Sequence, residues 1–192
     1  RVDGATYSLE EVPALDKKKN HSIDVVVDRR QAIRYAINKK LISQNVYMGM
    51  TINTNTPVPP DNWLYYDQES SFTYNPEKAI QLLEEAGWTD TDGDNVMDRV
   101  IDGKKRNLRL RLYVYEDPEN DVRFETANMI VDMLAEVKIK AVVTPMTYSE
   151  EQAALEAGSF DMALCAFQMD VVPDYGFFLR KGNGQNYCRY IS

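Results

Sequence analysis

Between Leu108 and Phe167 the hydrophobic pattern switches repeatedly between a period of two and a helical period, and this limits the fold more than any other feature. Leu108, Leu110, Leu112 and Val114 alternate with Arg109, Arg111, Tyr113 and Tyr115, which reads as a strand with one apolar face. A helix is predicted from about Asp121 to Val137, with Ala127, Ile130, Val131 and Leu134 inward. Ile139 to Thr144 reads as a second strand. Ser149 and Gln152 have the spacing of a capping box and open a short helix that ends at Gly158. Phe160 to Phe167 is almost wholly apolar, as expected of a third strand covered on both faces. Strands and helices in that alternation imply parallel pairing through right-handed crossovers. The expected fold class is α/β, with a mixed, partly parallel sheet flanked by helices.

Upstream, Asp28 and Gln31 form a capping-box pattern, and Ala32, Ile33, Ala36, Ile37 and Leu41 fall on one helical face. A helix is predicted from Arg29 to Tyr47, ending near Gly49. Thr51 to Tyr74 carries Pro57, Pro59 and Pro60 together with Trp63, Tyr65, Tyr66, Phe72 and Tyr74. The prolines bar a continuous helix or central strand, and the aromatics are expected to pin this loop onto the domain, with a stacking platform for a ligand as the lesser alternative. Asn75 and Pro76 then start a helix as N-cap and first-turn proline. Its apolar face is Ala79, Leu82, Leu83 and Ala86; Gly87 is placed to end it, with Trp88 tucked beneath. Residues 1–22 read as an irregular lead-in with a short strand at Ala5 to Leu9, and residues 23–192 as one domain.

The formal net charge of -8 disfavours nucleic acid, since phosphates are repelled and no basic stripe compensates. Lys17, Lys18 and Lys19 are a short basic run that suits a solvated loop. No apolar run has the length of a membrane span. The opening at Arg1 lacks the pattern of a leader peptide, which suits a cytosolic protein and an internal piece of an exported one equally. His21 is the sole histidine and falls in a polar loop, which nearly excludes histidine-based catalysis and any site that needs several imidazoles. Cys165 and Cys188 lack metal-type spacing and read as buried thiols, with a disulfide as the alternative in an exported protein.

Two acidic groupings carry candidate chemistry. Asp90, Asp92, Asp94 and Asp98 resemble the oxygen spacing of a calcium loop, although Asn95 and Ile101 stand where such a loop has its glycine and bidentate glutamate. An acidic turn leading into a strand explains the same residues. Asp170 and Asp174 lie just past the third strand, at the carboxyl end where open α/β sheets bind ligands. Asp174 suits the cap of a short helix at Gly176 to Leu179. Asp170 serves equally as a cap or as a clamp for a cationic group such as a peptide amino terminus. The same two aspartates are the pair to nominate for a carboxylate-based hydrolase.

Several segments, taken in order, resemble solute-binding protein family 5, the oligopeptide, dipeptide and nickel binders of ABC importers. They are Asp28 to Lys39 with Gly49 downstream, Tyr74 to Ala79 running into Leu82 to Trp88, and the acidic turn ending in Asp102, Gly103 and Lys104. Phe160 and Asp161 through Asp170 follow, then Pro173, Asp174, and Asn186, Tyr187 and Tyr190. The order and spacing agree from about Ile23 to the end. The resemblance implies one lobe of a two-lobed periplasmic-binding-protein-like fold that closes on its ligand, with the other lobe and a C-terminal return segment absent. It implies no catalysis, no cofactor beyond the calcium considered above, and capture of a peptide or other small solute for ABC permease subunits. It places the protein outside the cell membrane, periplasmic or held there by an anchor that this chain lacks. By the resemblance, Asp170 matches the aspartate that holds a peptide's amino terminus, and Phe167, Gln168 and Met169 line the ligand beside it. Phe167 stands where a tryptophan is common, and Leu164 where some peptide binders carry an arginine for the ligand's carboxylate. His21, outside the matched span, lends nothing to nickel. The readings from other classes are the hydrolase and a calcium-dependent interaction module built on Asp90 to Asp98.

Overall fold

Alanines four residues apart set the first helix, which the computed structural model shows at residues 29–36 (α1): Ala32 and Ala36 are fully buried, while Arg30 and Arg34 face solvent. The structure describes residues 29–54, 58, 60–65, 73–117, 121–166, 174–176, 180 and 185–187. The capping pattern at Asp28, the lead-in 1–22 and the strand at Ala5 to Leu9 lie outside these residues. The helix does not run on to Tyr47. It breaks at Ile37 and Asn38 and restarts as α2, Lys39–Asn45. Asn38 is the cause: its side chain accepts the Leu41 amide at 3.0 Å, offering the backbone an alternative to the continuous helix. The restart turns Leu41 outward to 39% exposure and buries Ile42 and Ser43 instead.

The turn at Asn62 opens the loop outward. Its Oδ1 accepts the Leu64 amide at 2.9 Å and its carbonyl accepts Tyr65 at 2.8 Å, which leaves Trp63 at the tip, 79% exposed. The expectation that Trp63 anchors the loop is therefore wrong, and Tyr74 is exposed as well. Tyr65 is half-buried, and Tyr66 and Phe72 lie outside the described residues.

Helix α3, Pro76–Glu85, follows its sequence signals closely. Asn75 accepts the Lys78 amide at 2.8 Å, Pro76 occupies the first turn, and Ala79, Leu82 and Leu83 are buried. It ends in a Schellman motif, with Trp88 donating to the Leu83 carbonyl and Gly87 to that of Glu84. Gly87 sits at φ +79°, and an added Cβ would meet Nε of Arg99 at 3.4 Å. Gly87→Ala is expected to cost about 1–2 kcal/mol, chiefly from the left-handed backbone, which a urea melt would register. Trp88 is buried beneath the helix end, with the Arg29 guanidinium 5.7 Å from its ring centroid.

A hairpin that the periodicity does not predict follows. Strands β1, Asp98–Ile101, and β2, Lys104–Asn107, pair antiparallel through Asp102 and Gly103, both at positive φ. An Asp-Gly pair with this geometry matches the right-handed twist of a tight hairpin, and the dipeptide is the signal that marks it.

The main sheet has the order β4-β3-β5, all parallel. Strand β3, Arg109–Tyr115, is central; Leu112, Tyr113 and Val114 are all buried, so both faces are covered at its middle. Strand β4, Lys140–Met146, pairs along its whole length with β3. Helix α4, Val122–Glu136, lies between them in sequence and buries Thr126, Ala127, Ile130, Met133 and Leu134, whereas Val131 is only partly covered. Helix α5, Tyr148–Ala157, has its capping box at Thr147 and Glu150, not at Ser149 and Gln152. Thr147 has the extended backbone an N-cap needs, and Glu150 Oε2 accepts its amide at 2.9 Å. Strand β5, Met162–Leu164, is short, is the outermost strand of this sheet among the described residues, and is half-buried throughout. It is not a strand enclosed on both faces, and Cys165 just beyond it is exposed, contrary to the expected buried thiol. Cys188 lies outside the described residues. The core joins β3 and α4 to α1, α2 and α3, with Leu83, Leu112, Leu134, Val137 and Ile139 almost wholly enclosed. No helix among the described residues is long and apolar enough to cross a membrane.

Candidate functional site

Parallel strands end together, so the carboxyl ends of β3, β4 and β5 share one edge of the sheet, where a ligand meets backbone and loop side chains. Past β3 the chain continues as Glu116 and Asp117, and the Glu116 amide donates to the Met146 carbonyl at 3.0 Å, prolonging the ladder with β4. A pocket of about 420 Å³ opens here, lined by Tyr115, Glu116, Asp117, Asp121, Phe124 and Glu125. Four carboxylates and two aromatic rings give it a lining whose chemistry suits cationic or amphipathic groups. Tyr115 is fixed edge-on against Tyr148, with centroids 5.9 Å apart, and the Arg123 guanidinium lies 5.3 Å from its ring.

Beneath this edge Glu151 is 5% exposed, and its Oε1 accepts no hydrogen bond among the described residues. Burial lifts its carboxyl above the ordinary range; Arg123 and a backbone hydrogen bond from Tyr115 hold it down in part. A carboxyl raised in the folded state makes stability fall as pH climbs from the ordinary glutamate value, about 4.3, through the raised one. Glu151→Gln is accordingly expected to raise the melting temperature at neutral pH and to lose that advantage near pH 4. An equal loss of stability at both pH values would show that the carboxylate is held by contacts that glutamine cannot replace.

Of the residues expected at the ligand, Phe167, Gln168, Met169 and Asp170 lie outside the described residues. Asp174 accepts the Gly176 amide at 2.8 Å, and Arg180 donates to the Gly176 carbonyl at 3.0 Å, in keeping with a capping role. Nearby, Tyr187 donates to Gln152 Oε1 at 2.8 Å, and Asn186 is buried with Nδ2 reaching the Arg180 carbonyl at 3.4 Å. Burial is the main cause raising the Tyr187 hydroxyl, with Cys165, Glu156 and Tyr148 adding to it and the Gln152 hydrogen bond opposing it. Sequence periodicity passed over the pocket residues and Glu151. The carboxyl-end rule, applied to β3 as well as to the third strand, points to Glu116 and Asp117.

The second acidic grouping is partly assembled. Asp90, Asp92 and Asp98 each offer an oxygen within 4.8 Å of the others, whereas Asp94 turns back to accept the Val96 amide at 2.9 Å. Asp98 is 1% exposed and takes both the amide and the hydroxyl of Thr91. Burial works to raise its carboxyl, but the Thr91 hydrogen bonds and Lys105 outweigh burial and lower it. Lys105 Nζ bridges Asp92 and Asp98, and Lys138 Nζ pairs with Asp90 at 3.1 Å. Lys138 belongs to the α4–β4 turn, and its carbonyl accepts the Met97 amide at 2.8 Å, so this loop is tied to the main sheet. At the opposite, amino end of the strands, Arg111 pairs with Asp161 at 3.1 Å beside a smaller pocket of about 180 Å³.

The sequence model of bacterial extracellular solute-binding proteins, family 5, middle region, matches residues 16–187; that span takes in His21. The oligopeptide-binding protein AppA of Bacillus subtilis is 30% identical over 170 residues, covering 84% of this chain and 30% of that protein. The dipeptide-binding protein of Escherichia coli is 47% identical over 58 residues, 30% of this chain and 11% of that protein. The solved structure of AppA with a nonapeptide superposes with a TM-score of 0.77 at 26% identity, over 92% of this chain and 35% of that one. An oligopeptide-binding protein from Thermus thermophilus, solved with a pentapeptide, has a TM-score of 0.74 at 20% identity over 91% of this chain and 32% of that one, and shares the fold. The chain thus spans about a third or less of the length of these relatives.

Proposed function

Because the chain belongs to family 5 of the bacterial extracellular solute-binding proteins, we propose that it is part of a two-lobed receptor that captures peptides, or similar small solutes, for an ABC importer. The match over residues 16–187 carries this reading. The acidic, aromatic pocket at the carboxyl edge of the sheet supports it, since carboxylates there attract a cationic end group and aromatic faces suit side chains of mixed chemistry.

The protein acts without chemistry of its own. Affinity comes from enclosing the ligand between two lobes, and Asp170 receives the ligand's ammonium group in a charge-assisted hydrogen bond. Phe167, Gln168 and Met169 line the ligand beside it. Capture takes place outside the cell membrane, and the loaded protein hands its solute to the permease subunits. In the hydrolase alternative, Asp170 and Asp174 would have to act as a pair; the hydrogen bond from Gly176 that Asp174 accepts favours a capping role instead.

Calorimetry with the full-length protein tests the ligand class. A short peptide with a free amino terminus is expected to bind at least tenfold more tightly than its N-acetylated form, since acetylation removes the charge that the carboxylates receive. Equal affinity for the two forms would remove the ammonium clamp, and no binding of either would remove peptides from the reading.

A further inference from the structure

We propose that Asp90, Asp92 and Asp98 form a calcium site that fastens the end of α3 and the β1–β2 hairpin to the turn between α4 and β4. Three observations carry it. One oxygen from each carboxylate already lies within 4.8 Å of the other two, so a single ion can be shared without moving the backbone. The Asp90 side chain is 10% exposed, and its Oδ1 accepts no hydrogen bond among the described residues, although Oδ2 is paired with Lys138. A buried carboxylate oxygen without a partner is costly, and an ion seated among the three acids removes that cost. The donors are also all hard oxygens, the set that selects calcium or magnesium over softer metals.

Charge counting agrees. Asp90, Asp92, Asp94 and Asp98 contribute -4, and Lys105 and Lys138 contribute +2, so these six groups carry -2 with Lys105 in place and -3 once it leaves, a field that favours a divalent cation. Asp94 adds to the field but not to the ligand set, because its Oδ1 is committed to the Val96 amide. The missing loop glycine is no obstacle, since Asn95 already holds the left-handed backbone there, at φ +64°. With no bidentate glutamate at Ile101, the rest of a six- to eight-oxygen shell falls to water and backbone carbonyls, which keeps affinity modest.

Lys105 is the competitor. Its ammonium stands on Asp92 and Asp98 as a monovalent substitute for the ion. Its side chain is 38% exposed on β2, so it can leave for solvent when calcium enters. Thr89 and Asp98 exchange backbone hydrogen bonds, and Lys138 holds both Met97 and Asp90. An ion here therefore links the segment after α3, the hairpin and the α4–β4 turn.

The test is calcium titration of chelator-treated, full-length protein, followed by calorimetry and thermal unfolding. One site is expected, with Kd on the order of 10⁻⁴ to 10⁻³ M, as in extracellular modules, together with a raised melting temperature. Lys105→Met is expected to tighten binding about tenfold by removing the competing charge. Asp92→Asn, at a half-exposed position that should leave folding intact, is expected to weaken it at least tenfold. No calcium heat and no thermal shift in either the wild type or Lys105→Met would overturn the site. So would binding that Asp92→Asn leaves unchanged, or saturation by magnesium but not by calcium.

Discussion

Leu134→Ala is expected to destabilise the domain by about 3 kcal/mol, within the range of about 2–5 kcal/mol for emptying a buried leucine site. Leu134 is fully buried on α4, in the cluster that contains Leu112, Val114 and Ile139 from the sheet side. Its removal costs the transfer of the isobutyl group and leaves a cavity that the paired β3–β4 ladder cannot close, because seven aligned residue pairs fix the two strands together. Urea unfolding should show a lower midpoint with an unchanged slope. Leu41→Ala is the control. Leu41 is 39% exposed after the break at Asn38, so its loss should cost well under half as much. Equal effects at the two positions would mean that α1 and α2 form one continuous helix with Leu41 inward.

The second large effect is on binding. In the full-length protein, Asp170→Ala is expected to weaken a peptide with a free amino terminus by about tenfold to a hundredfold, the range for loss of one charge-assisted hydrogen bond. The same substitution should leave an N-acetylated peptide nearly unaffected. That difference separates a direct clamp from a capping role: loss of a cap lowers stability and reduces both affinities together.

How much of this was legible in the sequence varies with the kind of signal. Asn75, Pro76, Gly87 and Trp88 act locally, and each does in the structure what its chemistry dictates. The alternation from Leu108 onward yields the parallel β3, β4 and β5 for the same reason: period and order are local and nearly unambiguous. Errors arose where two local signals compete. Asn38 interrupts an apolar period that spans it, since a side-chain cap outweighs helix continuation there. Ser149 and Gln152 have the spacing of a capping box, but Thr147 and Glu150 have it too, and backbone conformation decides between them. Burial was least legible at the sheet margin. An apolar run such as Phe160 to Phe167 does not reveal that β5 is only half-buried and that Cys165 is exposed. At the acidic loop, spacing identified the carboxylates. Lys105 and Lys138 come to them through hairpin pairing and a distant turn that no local pattern encodes.

The most direct test of solute capture is native mass spectrometry of the full-length protein, purified without added ligand. The account predicts a mass excess from a bound solute that is released on collisional activation, resolves into peptide masses and diminishes in Asp170→Ala. Protein that retains no solute, and takes up none from a peptide mixture, would contradict it.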